Sequence, residues 1–89
     1  QNADFLEGRS VVYFDLKDYS KALSDLTTAY KLDPTLDLSY NFAIIYFELR
    51  EYKECAEYCN EYLRLNGDKY GDADLIRKMI KEIGYEPEY

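Results

Sequence analysis

Tyr13-Phe14-Asp15-Leu16-Lys17-Asp18-Tyr19-Ser20-Lys21 and Tyr46-Phe47-Glu48-Leu49-Arg50-Glu51-Tyr52-Lys53-Glu54 are two copies of one phrase, 33 residues apart. Their paired positions are identical or chemically related. The register continues downstream, where Leu32-Asp33-Pro34 lies over Leu65-Asn66-Gly67. A third, partial copy follows at the same offset, with Phe42, Tyr46 and Phe47 falling on Leu75, Met79 and Ile80. Self-similarity at such a period marks a stacked array of supersecondary units, each too small to bury its apolar face alone.

Within a unit the apolar spacing is helical. Leu6, Ser10, Tyr13 and Leu16 mark one face of a first helix, and Leu23, Leu26, Ala29 and Tyr30 one face of a second. Only Lys17-Asp18 separates them, so the helices must fold back as an antiparallel hairpin. Asp18 is placed to cap the second helix, and Asp33-Pro34 ends it, since proline removes an amide donor and biases its predecessor away from α. The second unit predicts helices over Leu36–Leu49 and Tyr52–Leu65, stopped by Asn66-Gly67. A fifth helix is predicted from Asp72 to Ile83, with Gly84 as its C-terminal cap and a loose tail over residues 84–89. The helix over Leu36–Leu49 is apolar nearly all round, which predicts burial on every side.

The chain has 89 residues, room for one small domain. It is 47% hydrophobic and 33% charged, a soluble globular balance, with two Pro and four Gly, too few for a β-sandwich. A formal net charge of −7 argues against nucleic acid and against anionic membrane surfaces as partners. No apolar run spans a bilayer and no signal-peptide pattern opens the chain. Cys55 and Cys59, four apart on one helix, do not suit disulfide geometry, which favours reducing surroundings such as the cytoplasm.

With these units the chain resembles the tetratricopeptide repeat, whose signature spaces Trp, Leu, Gly, Tyr, Ala, Phe, Ala and Pro over about 34 residues. The first unit fills those places with Leu6, Arg9, Ser10, Tyr13, Ala22, Leu26, Ala29 and Pro34. The second has Ser39, Phe42, Ala43, Tyr46, Cys55, Cys59, Tyr62 and Gly67. Small residues meet where the helices of a hairpin cross, here Ser10 with Ala22 and Ala43 with Cys55. The departures are the missing Trp, a non-glycine at the tightest place, Arg9 for Leu, and bulky Tyr62 for Ala. The resemblance implies an all-α, right-handed solenoid of antiparallel hairpins with five helices: a repeat over 3–35, a repeat over 36–68 and a capping helix over 72–83. In that last helix Leu75, Ile76, Met79, Ile80 and Ile83 are expected to close the core, with Ile76 blocking any further helix. Nothing resembling a polar capping segment precedes the first helix. Together with Gln1 in place of Met, this reads as the C-terminal part of a longer chain, or as a self-associating one.

The resemblance also implies that the first helix of each unit lines a concave groove. By position, the groove residues are Glu7, Val11, Phe14 and Asp15 from the first unit, and Tyr40, Asn41, Ile44, Phe47 and Glu48 from the second. That makes an apolar floor with an acidic rim, suited to a protein or peptide with basic flanks. The plainer reading is that Val11, Ile44, Tyr40 and Phe47 only pack neighbouring helices together. Chaperone-binding members clamp a terminal carboxylate with Lys and Asn. Here Glu7 holds the Lys place and Val11 the first Asn place, and only Asn41 matches, so a clamp is not expected.

Other chemistry finds little support. Cys55 and Cys59 have no His or third Cys to complete a zinc site, and they read as small hydrophobes. There is no phosphate loop, no nucleophile elbow and no histidine base, so the expectation is a binding module rather than an enzyme, with neither cofactor nor metal. A self-assembly element, or a regulatory appendage of a larger protein, is the alternative.

Overall fold

The computed structural model describes residues 2–89, which form α1 (Ala3–Asp15), α2 (Tyr19–Leu32), α3 (Ser39–Glu48), α4 (Tyr52–Asn66) and α5 (Ala73–Glu82). The fold is an all-α helical repeat, two antiparallel hairpins followed by a fifth helix. Local chemistry explains the boundaries. Asn2 caps α1, its side chain accepting from the Phe5 amide at 2.7 Å, and Asp18 caps α2 by accepting from the Lys21 amide at 3.2 Å.

Three helix ends share one device. After α1 the Asp18 amide reaches the Tyr13 carbonyl and the Lys17 amide reaches that of Phe14. After α3 Glu51 and Arg50 make the same pair of bonds to Tyr46 and Phe47, and after α5 Tyr85 and Gly84 make them to Ile80 and Lys81. This paired closure needs a left-handed residue, supplied by Lys17 (φ 62°), Arg50 (φ 59°) and Gly84 (φ 93°). Both hairpins therefore turn in the same way, as the repeated phrase predicts, although two of the three pivots are not glycine.

The core has two parts. One gathers Leu6, Ala22, Leu26, Ala29, Leu38, Phe42 and Ile45 between the first hairpin and α3, and the other gathers Ala43, Cys55, Cys59, Tyr62, Leu63, Ala73, Ile76 and Ile80 around α4. Tyr46 and Tyr58 pack against both. The expected crossing residues Ser10, Ala22, Ala43 and Cys55 are all buried.

Positions 9 and 25 of the first hairpin correspond to 42 and 58 of the second. In the first, Arg9 forks onto the buried Asp25, Nε to Oδ2 at 2.8 Å and one terminal nitrogen to Oδ1 at 2.7 Å. That bond, assisted by the charge of Arg9, holds the Asp25 carboxyl below its usual range despite burial. In the second, Phe42 and Tyr58 stack at 4.7 Å and 16°. Arg9, a departure from the family pattern, thus has its reason in Asp25: an ion pair fills the slot that a ring pair fills one repeat later.

Four expectations need correction. The third helix begins at Ser39, not Leu36, because Asp37 turns back to accept from the Ser39 amide and Leu38 serves as the cap residue. It is not buried all round, since Tyr40 and Phe47 are exposed. Leu75 does not close the core: it is 69% exposed, and Ala73, Ile76 and Ile80 do the covering. Leu75 occupies the register of Phe42, whose partner Tyr58 lies on the following helix, and among the described residues no helix faces Leu75 in that way. The tail is not loose either, for the Glu88 amide donates to Asn60 Oδ1 at 2.7 Å and Arg77 Nε donates to the Tyr89 carbonyl at 2.8 Å.

Tyr62 is accommodated by chemistry as well as space. Its hydroxyl donates to Asp72 Oδ2 at 2.8 Å, and burial with that bond pushes its pKa up to about 12. With Asp72 so engaged, Asp68 accepts the Ala73 amide at the start of α5.

Two outcomes are expected from thermal and urea unfolding. Arg9→Phe leaves the Asp25 carboxylate buried without its partner and should cost about 2–3 kcal/mol, whereas adding Asp25→Tyr, which copies the second hairpin, should restore most of the loss. A double variant no more stable than the single would show that the two slots are not equivalent. Arg50→Gly should raise stability by about 0.5–1 kcal/mol, because glycine adopts positive φ without steric cost. An unchanged or lowered melting temperature would refute this.

Candidate functional site

The nine groove residues predicted from the sequence all lie on α1 and α3 and are all at least partly accessible. Val11, Phe14, Asn41 and Ile44 come together with Ser10 and Ile45 around a dimple of about 30 Å³. That is space for a methyl group or a water molecule, not for a large side chain. Phe14 leans on Tyr19 at 5.6 Å between ring centres. Tyr40 and Phe47 lie outside the dimple. Their rings lean on the second hairpin's own tyrosines, Tyr40 on Tyr62 at 5.9 Å and Phe47 on Tyr52 at 6.0 Å, yet they remain 47% and 38% exposed. Glu7 is half-buried, and Asp15 and Glu48 are exposed.

Two residues thought to be apolar facing of the first hairpin are placed otherwise. Leu16 lies just past α1 and is exposed, and Tyr30 faces outward from α2. Tyr30 belongs to a concavity the sequence reading missed. It is a cleft of about 700 Å³ between α2 and α4, over the 33–38 linker, with Phe42, Tyr46 and Tyr58 among its lining. Its residues are far apart in the chain, so no motif announces it. The nearest signal was the unusual run of tyrosines at repeat positions.

Cys55 and Cys59 are both buried and free. The neighbouring Cys55 side chain, with burial, pushes the Cys59 thiol well up, which suits packing of Cys59 rather than nucleophilic attack. Among the described residues no three His, Cys, Asp or Glu side chains converge as metal ligands. Among them, too, no helix is long and apolar enough to cross a membrane.

The tetratricopeptide repeat matches residues 3–36 and again residues 36–69. Similar proteins include stress-induced-phosphoprotein 1 of Caenorhabditis elegans, 32% identical over 69 residues, which are 76% of this chain and 22% of that protein. Hsp70-Hsp90 organizing protein 3 of Arabidopsis thaliana is 30% identical over 80 residues, 88% of this chain and 14% of that protein. Hsp70-Hsp90 organizing protein 1 of the same plant is 30% identical over 70 residues, 76% of this chain and 12% of that protein. The chain thus spans less than a quarter of the length of these relatives. No solved structure gives a significant match. The two matched repeats, the paired hairpins and their common turns make this chain a member of the tetratricopeptide-repeat family of protein-interaction modules.

Proposed function

We propose that the α1–α3 face seats an apolar segment of another protein flanked by Lys or Arg. The observation that carries this reading is the exposure of Val11, Tyr40 and Phe47 on one face whose charged residues are Glu7, Asp15 and Glu48, all acidic. Exposed aromatic side chains contribute much of the energy at protein interfaces, and an acidic rim steers a basic partner. The shallow dimple favours a segment lying across the surface over a side chain plugged into it. Relatives named for organising Hsp70 and Hsp90 support proteins as the partner class. With Glu7 and Val11 where a carboxylate clamp has Lys and Asn, recognition of a terminal carboxylate is disfavoured, and the role is binding rather than catalysis.

A separate observation favours a second reading, assembly through the outer side of α1. Phe5, Val12 and Leu16 form an exposed apolar stripe with Gly8 at helical spacing. Of the corresponding positions in the second hairpin, Leu38 and Ile45 are buried in the core shared with α2, and Leu49 alone is exposed. A second helical hairpin, from another copy or another repeat, fits that stripe. Sedimentation of the 89-residue chain should show concentration-dependent association that Val12→Lys abolishes. A monomer at every concentration would rule out pairing of copies.

For the groove, peptides selected from a random library should share an apolar centre with basic flanks. Phe47→Ser should weaken their binding at least tenfold while leaving helicity and melting nearly intact, because the ring is already partly in water. Glu48→Lys should slow association and flatten its salt dependence. Selection of peptides ending in an acidic carboxylate, or loss of fold in Phe47→Ser with no effect of Glu48→Lys, would reject the groove.

A further inference from the structure

The cleft between α2 and α4 shares no residue with the α1–α3 face and has a chemistry of its own. Phe42, Tyr46 and Tyr58 form its aromatic base, their rings within 18° of parallel. Tyr30, 51% exposed, adds a fourth ring from α2, and Leu65 an apolar edge from α4. The charged residues of the lining are Asp37, Glu61 and Arg64. Arg64 is already bonded to Glu61. Asp37 is desolvated by burial, but bonds from Ser39 and Asn66 outweigh this and keep its carboxyl below the usual range, so it is ionised at neutral pH. Burial first, then the neighbouring charges of Glu51 and Glu54 for Tyr46, and Tyr46 and Glu57 for Tyr58, push both tyrosines up. The cleft is therefore aromatic and carries one net negative charge, with its cation Arg64 paired to Glu61.

The first hairpin holds a guanidinium against aromatic rings, in the place that Phe42 fills one repeat later. Arg9 lies 5.5 Å from the Phe5 ring centre and 5.6 Å from that of Tyr13, with Asp25 taking its hydrogen bonds. One repeat later, positions 42 and 58 carry rings instead, and the guanidinium in the same lining, Arg64, is bonded to Glu61. Aromatic faces attract cations electrostatically, and a planar guanidinium stacks on them better than an ammonium does.

We propose that the α2–α4 cleft is a binding site for an arginine side chain of a partner polypeptide, held against the rings of Tyr30, Tyr46 and Tyr58 beside Glu61 and Asp37. It gives this module a second point of attachment, and it stands whether or not the α1–α3 groove does.

The test is a heteronuclear NMR titration of the 89-residue chain with a capped pentapeptide carrying one central arginine, against the same peptide with citrulline. The arginine peptide should shift signals of Tyr30, Phe42, Tyr58 and Leu65, and the uncharged citrulline peptide should bind roughly fivefold or more weakly. Tyr30→Leu keeps apolar area but removes the π face and should lose a similar factor, while Leu75→Ser, exposed on α5 outside both concavities, should change nothing. Circular dichroism of each variant separates lost binding from lost fold, and Glu61→Gln provides a second, conservative variant that should weaken the arginine peptide alone. Equal binding of both peptides, shifts confined to α1 and α3, full affinity in both Tyr30→Leu and Glu61→Gln, no shift at millimolar peptide, or preference for a proline-rich peptide would each overturn the proposal.

Discussion

The close crossing of two helices within each hairpin is the constraint on which the rest depends. It requires small side chains at Ser10, Ala22, Ala43 and Cys55, all withdrawn from solvent. A larger group at any of these places would part the helices and open the two cores, since interiors packed near crystal density accommodate even an extra methylene poorly. Cys55 and Cys59 are explained by this packing: they are compact apolar residues in a tight place, both withdrawn from solvent. The turns cooperate with the crossing. Lys17 and Arg50 accept a left-handed backbone because the paired carbonyl bonds around them bring each second helix back at the angle the crossing needs.

Above that shared frame the two hairpins diverge in chemistry. The slot at positions 9 and 25 holds a forked ion pair, and the slot at 42 and 58 holds stacked rings. Ion pair and ring pair tie the two helices of their hairpins together alike, but they differ in what they offer outside. The ion pair satisfies its own charge. The rings spread into an aromatic base with Tyr46, open to the cleft beside Tyr30. Divergence within a repeat thus converts a structural slot into a surface with binding potential.

The two concave surfaces follow from the solenoid's geometry. Between the first helices α1 and α3 there is only a dimple, with exposed rings and acidic side chains around it. Second helices α2 and α4 are bridged by the 33–38 linker, and the space over it is more than twenty times larger. At the C-terminal end, α5 covers α4 with Ala73, Ile76 and Ile80 and turns Leu75 outward, while the tail is tied down through Asn60 and Arg77.

The amino-acid order by itself determined the repeat of 33, which is read by comparing the chain with itself, and the hairpins, the Asp18 cap and the Gly84 stop, which depend on near neighbours. The family resemblance assigned the nine groove residues to the first helix of each unit, and all nine lie on α1 and α3. The amino-acid order misread α3 as buried on every side, placed Leu75 in the core, and passed over the α2–α4 cleft. Those outcomes rest on which helix covers which face. Tyr40, Phe47 and Leu75 stay exposed because, among the described residues, no helix lies over them. The cleft exists because Tyr30, Phe42 and Tyr58, from three different helices, are brought to one place. Spacing along the chain fixes the face a side chain occupies, but only the tertiary packing decides whether another helix lies across it.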